Sequence, residues 1–256
     1  MPADNPSLQE SHVHATSLQE SGFPASTGPL PAAVLWDLDG TLIDSEKVWD
    51  VSLADTIRWL GGELSARARA AVVGAELGTA SRVLVEEAGI EPSPARVGET
   101  CDYLVGRTAA LFADGVRWRP GAREALDAVG VAGVPMALVT NSQRVLTEMA
   151  LDVIGRHRFG AVVCGDEVTR GKPAPEPYLR AAELLDVPID DCVAVEDSPT
   201  GALSAERAGA AVLVVPCDVP VPDGPRRSHR DGLVGLTAAD LVAALHPAGA
   251  TVTRVA

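Results

Sequence analysis

The sequence predicts an α/β fold: an open parallel sheet with a small all-helical domain inserted after its first strand. Three observations carry that expectation. Runs that are apolar nearly throughout recur at 32–38, 134–140, 161–165, 192–197 and 211–215. Unbroken rather than alternating runs mark strands covered on both faces. Helix-patterned stretches separate the last four runs, as in successive strand–helix–strand crossovers. Finally, about 80 residues divide the first run from a helix start at Pro120-Gly121 without a convincing strand. A structureless loop of that length is uncommon in a compact domain. The expected architecture is Rossmann-like with a helical cap.

Taken in order, residues 1–31 hold no Lys or Arg, the acids Asp4, Glu10 and Glu20, and SLQES twice, at 7–11 and 17–21. Such a segment buries too little apolar surface to offset its ordering entropy and reads as a disordered tail. The α/β core domain takes 32–44 and 119–256, and the helical cap domain takes 45–118. Within the cap, 46–60 reads as a helix stopped by Gly61-Gly62. Ser65 caps a second helix, 81–88 forms a third ending at Gly89, and Ser93-Pro94 opens a fourth toward Phe112. In the core, 142–154 carries Val145, Leu146, Met149, Leu151 and Ile154 at helical spacing. The stretch 175–185 does the same with Leu179, Ala182 and Leu185, and 199–208 stops at Gly209.

Composition narrows the function classes. Lys and Arg number 21 against 35 Asp and Glu, a net charge of −14. That argues against a general nucleic-acid binder, which needs a basic patch to displace counterions, and against a basic membrane-surface helix. No run approaches the roughly 18 apolar residues needed to span a bilayer, and no secretory signal pattern opens the chain. The expectation is a cytoplasmic, monomeric protein. Cys101, Cys164, Cys192 and Cys217 are widely spaced, without a CxxC pair, and read as buried reduced thiols. Lysine occurs only at Lys47 and Lys172.

Chemistry-bearing residues gather where the strands end. The first run ends in Asp37-Leu38-Asp39-Gly40-Thr41, the second in Thr140-Asn141-Ser142 and the fourth in Glu196-Asp197-Ser198. Gly171-Lys172-Pro173 follows the third. Open parallel sheets bind ligands outside the carboxyl ends of their strands. Carboxylates there are costly to bury unless paired or metal-bound. Converging carboxylates suit Mg²⁺, a hard cation that takes oxygen ligands. A hydroxyl, helix N-termini and a lysine suit an anionic oxygen group. Together these make a phosphoryl-transfer site.

The four segments, in this order, resemble the motifs of the haloacid dehalogenase superfamily of phosphohydrolases. The resemblance covers residues 33–245 and extends to Val139-Thr140-Asn141-Ser142, Gly171-Lys172-Pro173-Ala174-Pro175-Glu176-Pro177-Tyr178 and Val195-Glu196-Asp197-Ser198-Pro199-Thr200-Gly201. It implies that Asp37 is the nucleophile that becomes an aspartyl phosphate and that Asp39 is the acid/base. It implies Mg²⁺ held by Asp37, the backbone carbonyl of Asp39 and Asp197, with Glu196 either a further ligand or just behind them, and phosphoryl oxygens held by Thr140, the N–H of Asn141 and Lys172. The substrate implied is a small phosphorylated metabolite, with sugar phosphates expected.

Asp39 separates these enzymes from the dehalogenases, which lack a carboxylate there. The β-phosphoglucomutases of the family carry His ten residues further on, where this chain has Trp49. The alternatives weighed are a mutase of that type and a non-catalytic phospho-ligand binder. Glu46 and Trp49 are candidate substrate contacts. Glu46, Lys47, Arg82 and Arg107 read more simply as solvated helix charges, as do Glu86-Glu87 and Arg226-Arg227, and the histidines receive no role.

Overall fold

The computed structural model describes residues 28–72, 75–113, 115–217 and 219–246. The expectation of a disordered tail therefore lies, up to residue 27, outside the described residues. The strands are β1 Ala33–Trp36, β2 Met136–Val139, β3 Ala161–Val163, β4 Cys192–Glu196, β5 Ala211–Val214 and β6 Arg227–His229. They form one parallel sheet in the order β3-β2-β1-β4-β5-β6. The chain winds outward from β1 through β2 to β3, then crosses back to lay β4 on the other side of β1. The direction of winding thus reverses between β1 and β4, the crevice where such sheets bind ligands.

Alternate strand residues enter two apolar layers. Val34 and Trp36 of β1 join Val193 and Val195 of β4 on one face, under α5 (Ala122–Val131), α6 (Arg144–Ile154) and α9 (Ala238–Leu245). Ala33, Leu35 and Ala194 join Tyr178, Ala181 and Ala205 on the other, under α7 (Glu176–Leu185) and α8 (Pro199–Ala208). Burial on both faces is why these strands read as unbroken apolar runs.

The interval after β1 folds into α1 (Glu46–Trp59), α2 (Ala66–Ala71), α3 (Leu77–Glu87) and α4 (Pro94–Ala113). These helices pack around Leu53, Ile57, Ala80, Leu84 and Leu104, an apolar cluster separate from the two sheet layers. Ser65 caps α2 by accepting the Ala68 N–H at 3.1 Å. The long α4 ties the two parts together: Leu104 lies in the helical cluster and Phe112 in a sheet layer.

Several expectations need correction. The strands are shorter than the apolar runs: Ala32, Val134, Cys164 and Val215 lie outside them, as do the polar Asp37, Thr140 and Asp197 at the site. Thr140 keeps one bond to the Val163 carbonyl while its side chain turns to the site. Helix α3 starts at Leu77 rather than residue 81, because Glu76, in extended conformation, serves as N-cap. Helix α6 starts at Arg144, since the Ser142 hydroxyl bonds Asp39 instead of capping the helix. Strand β6 and helix α9 were not expected. β6 is a polar edge strand with no apolar signal. Arg226 and Arg227 are not solvent-facing. Arg227 pairs with Glu206 at 2.7 Å, and Arg226 donates to the Ala210 and Asp190 carbonyls. Cys164 and Cys192 are buried free thiols, whereas Cys101 and Cys217 are only half-buried. Among the described residues, no helix is long and apolar enough to cross a membrane.

Candidate active site

The strand order puts the ends of β2, β1 and β4 side by side, and the functional candidates follow from that. Asp37 immediately follows β1 and keeps its backbone N–H on the Val195 carbonyl at 3.0 Å. Its buried carboxylate accepts from Lys172 Nζ through Oδ1 at 2.6 Å. Oδ2 is buried without a hydrogen-bond partner. A buried carboxylate oxygen with no donor is costly, and it is the atom left available for phosphorus or a metal.

Lys172 sits at the centre of the buried charges. Its ammonium has three protons. They go to Asp37 Oδ1 at 2.6 Å, Glu196 Oε1 at 2.7 Å and the Val139 carbonyl at 2.8 Å. The nitrogen also lies 5.2 Å from the centroid of the Tyr178 ring. The lysine expected to clamp phosphate is therefore bonded wholly to protein groups. Glu196, fully buried, accepts on Oε1 from the Tyr178 hydroxyl at 2.5 Å and on Oε2 from Ser198 Oγ at 3.2 Å.

Burial and crowding set the ionisation. Asp37 is pushed up to about 7, first by burial and then by the Glu196 charge, with Lys172 opposing. Asp197 is pushed up to about 9 by burial and then by Asp37 and Glu196. For Lys172, burial disfavours the charge, but the Asp37 and Glu196 carboxylates outweigh it and hold the ammonium above its usual value. Burial and the same carboxylates raise the Tyr178 hydroxyl.

Asp37, Glu196 and Asp197 each offer an oxygen within 4.8 Å of the others'. With all three ionised, the carboxylates exceed the one ammonium by two negative charges, the deficit a divalent cation fills. Gly40 makes the approach possible. Its φ is +84°, and a Cβ there would lie 2.1 Å from Asp197 Oδ2.

Asp39 stands apart from this buried group. Its Oδ2 accepts from Ser142 Oγ at 2.6 Å and Thr140 Oγ1 at 3.1 Å. Thr140 Oγ1 in turn accepts the Ser142 N–H at 2.9 Å. The Asn141 carboxamide brackets the Lys172 backbone, accepting its N–H at 2.8 Å and donating to its carbonyl at 3.2 Å. That bracket pins the Gly171-Lys172-Pro173 loop to the end of β2.

Asp37, Asp39, Thr140, Asn141, Lys172, Asp197 and Trp49 all line one cavity of about 450 Å³. Glu196 does not line it, lying beneath as the anchor of Lys172. The Glu46 side chain is outside the described residues. Lys47 pairs with Asp44 at 3.6 Å, Arg107 with Asp55 at 2.7 Å, and Arg82 is exposed, so none of the three lines the cavity. Sequence reasoning gave no role to Ser142 or Tyr178. The signal for Ser142 was a second hydroxyl two residues beyond Thr140 at a strand end. The signal for Tyr178 was one of only two tyrosines in the chain, at the buried start of α7.

The comparisons agree with this geometry. The chain is 32% identical over 189 residues to the bifunctional riboflavin kinase/FMN phosphatase of Arabidopsis thaliana, matching 73% of this chain and 49% of that protein, about half its length. It is 32% identical over 197 residues to hexitol phosphatase A of Escherichia coli, covering 73% of this chain and 84% of the relative. The solved structure of CbbY from Rhodobacter sphaeroides in complex with phosphate superposes with a TM-score of 0.72 at 26% identity, covering 84% and 99% of the two chains. Residues 31–209 match the family model described as haloacid dehalogenase-like hydrolase, a span that includes every motif from Asp37 to Gly201. With that span matched and the carboxylates, lysine and hydroxyls gathered at one sheet edge, the chain belongs to the haloacid dehalogenase-like hydrolases.

Proposed function

We propose that the protein is a Mg²⁺-dependent phosphatase of small phosphorylated metabolites, working through an aspartyl phosphate on Asp37. The observation that carries this is the state of Asp37: Oδ1 held by Lys172, and Oδ2 buried without a partner, in a carboxylate that lines the cavity beside Asp39. The donor set fits Mg²⁺, being all oxygen, buried and, when deprotonated, short of two positive charges. Asp37, Asp197 and the Asp39 backbone carbonyl would hold it, with Glu196 behind them. Bound there, Mg²⁺ supplies charge neutralisation for the carboxylates and the phosphoryl oxygens.

The chain's own groups do the rest. Asp37 attacks phosphorus, the ester P–O bond breaks, and Asp39 gives its proton to the departing alkoxide. Asp39, now a carboxylate, takes a proton from the water that attacks the phosphoryl group, and Asp37 is released. Ser142 and Thr140 hold Asp39 for both transfers. The Thr140 hydroxyl has one proton, so it must leave Asp39 when it donates to a phosphoryl oxygen. Ser142 keeps Asp39 in place at that moment. The Asn141 N–H is the second phosphoryl donor. Lys172 favours the anionic form of Asp37 against burial and orients it, since its protons are already committed.

Asp37→Asn tests the reading. It should abolish Mg²⁺-dependent phosphate release and leave the circular-dichroism spectrum unchanged. Wild-type turnover in that variant would rule out the covalent route.

A further inference from the structure

We propose that the organic part of the substrate is hydroxyl-poor with an apolar, ring-like face, received by Trp49, Leu53, Val72, Leu77, Ala80 and Val105. The inference deepens the phosphatase reading and rests on it. These residues come from α1, α3, α4 and the C-terminal end of α2, and they line the same cavity as Asp37 and Asp39. Whatever is esterified to a phosphate at Asp37 must therefore lie against them. The wall is also fixed in place. Leu53, Val72 and Ala80 belong to the helical cluster, and Trp49 and Leu77 pack on it.

Polar groups are few on this side. Among the described lining residues from α1 to α4 and their flanks they are the Ser45 hydroxyl, the Trp49 indole N–H and the Arg69 guanidinium, which already pairs with Asp50. A hexitol or hexose phosphate carries a hydroxyl on nearly every carbon. Hydroxyls stripped of water against such a wall lose hydrogen bonds that it does not return. An apolar face makes no such demand, and burying it is favourable. A cavity of about 450 Å³ takes a phosphate together with a six-membered ring.

The test compares benzyl phosphate with sorbitol 6-phosphate and glucose 6-phosphate, all primary alkyl esters, on the full chain with Mg²⁺. Benzyl phosphate should show the higher kcat/KM by about tenfold or more. A polyol or hexose ester turned over equally well or better overturns the proposal. Leu77→Gln should narrow the ratio at least about threefold while inhibition by inorganic phosphate stays the same, because the phosphate end is untouched. Val105→Thr, nearly constant in volume, should narrow it in the same direction if Leu77→Gln fails to fold. A ratio unmoved in the folded variants also overturns it. If no ester releases phosphate, the phosphatase reading falls. Calorimetric binding then decides the wall: tighter benzyl phosphate upholds it, and equal or weaker affinity overturns it.

Discussion

Gly201→Ala should cripple this protein, although the same change elsewhere in a helix normally helps. Gly201 lies in the first turn of α8, and its N–H is bonded to Ser198 Oγ at 3.0 Å. A Cβ there would stand 1.9 Å from Glu196 Oε1, 2.1 Å from its Cδ and 2.1 Å from Oε2. Ordinary contact needs more than 3 Å, so the carboxyl group must move by about 1 Å or more. Glu196 is fully buried, and its bonds to Tyr178 and Lys172 are 2.5 and 2.7 Å long. A shift of that size takes both beyond hydrogen-bonding distance. Breaking a buried ion pair costs about 3–5 kcal/mol, whereas Gly→Ala in a helix interior gains about 1 kcal/mol. The expected net loss is about 2–4 kcal/mol. Urea unfolding measures it, with Gly98→Ala and Gly106→Ala in α4 as controls, since a Cβ at either meets nothing within 4 Å. The controls should gain up to about 1 kcal/mol. A Gly201→Ala variant as stable as these would show that Glu196 is not locked in place and that its hold on Lys172 carries no weight.

Three further outcomes follow from the site. Ser142→Ala should lower kcat on alkyl phosphates about tenfold, with KM within about twofold, because Asp39 loses its shorter hydroxyl bond of 2.6 Å; steady-state kinetics showing an unchanged kcat would remove Ser142 from the machinery. Lys172→Arg should lose most activity, about 100-fold, because a planar fork cannot direct donors to Asp37, Glu196 and the Val139 carbonyl from one point; a rate near wild type would contradict that socket. The third is pH dependence. Asp37 and Asp197 go from 3.8 in the unfolded chain to about 7 and about 9 in the fold. The metal-free fold thus binds more protons than the unfolded chain above about pH 4, and these groups destabilise it increasingly as pH rises toward 9. Mg²⁺ selects their deprotonated forms, so its thermal-shift increment should be larger at about pH 8.5 than at about pH 5.5. An increment that is flat or shrinks with pH would count against these acids as the metal site.

What was legible in the sequence was whatever the backbone alone could place. Asp37, Thr140 and Asp197 follow apolar strands, so their position at the sheet edge follows from strand order and parallel direction. The two apolar layers were legible for the same reason, as runs with no polar alternation. What escaped depended on side-chain direction. That Ser142 serves Asp39 rather than capping α6 cannot be read from spacing, because a hydroxyl ahead of a helix suits either role. Strand β6 escaped because an edge strand needs no apolar face. Helix α9 had a readable signal in Thr237 and Asp240, whose side chains form a capping box at 3.3 and 2.8 Å.

Lys172 shows best how position and role part company. Being one of two lysines in the chain drew attention to it, and it does reach the expected place. There, however, its three protons serve Asp37, Glu196 and a carbonyl, which leaves the cluster two charges negative once Asp37 and Asp197 are both ionised. Two unit charges about 4 Å apart interact by about 4 kcal/mol at an effective dielectric of 20. Charges farther than about 8 Å are largely screened at physiological salt. The chain's overall charge of −14 is therefore a minor obstacle to an anionic substrate. The local deficit is the larger one, and a lysine already committed to the carboxylates does not remove it. A divalent cation does. On the proposed reading Mg²⁺ would first make the cavity acceptable to a phosphate, and Lys172 would keep the acids close enough together to hold that ion.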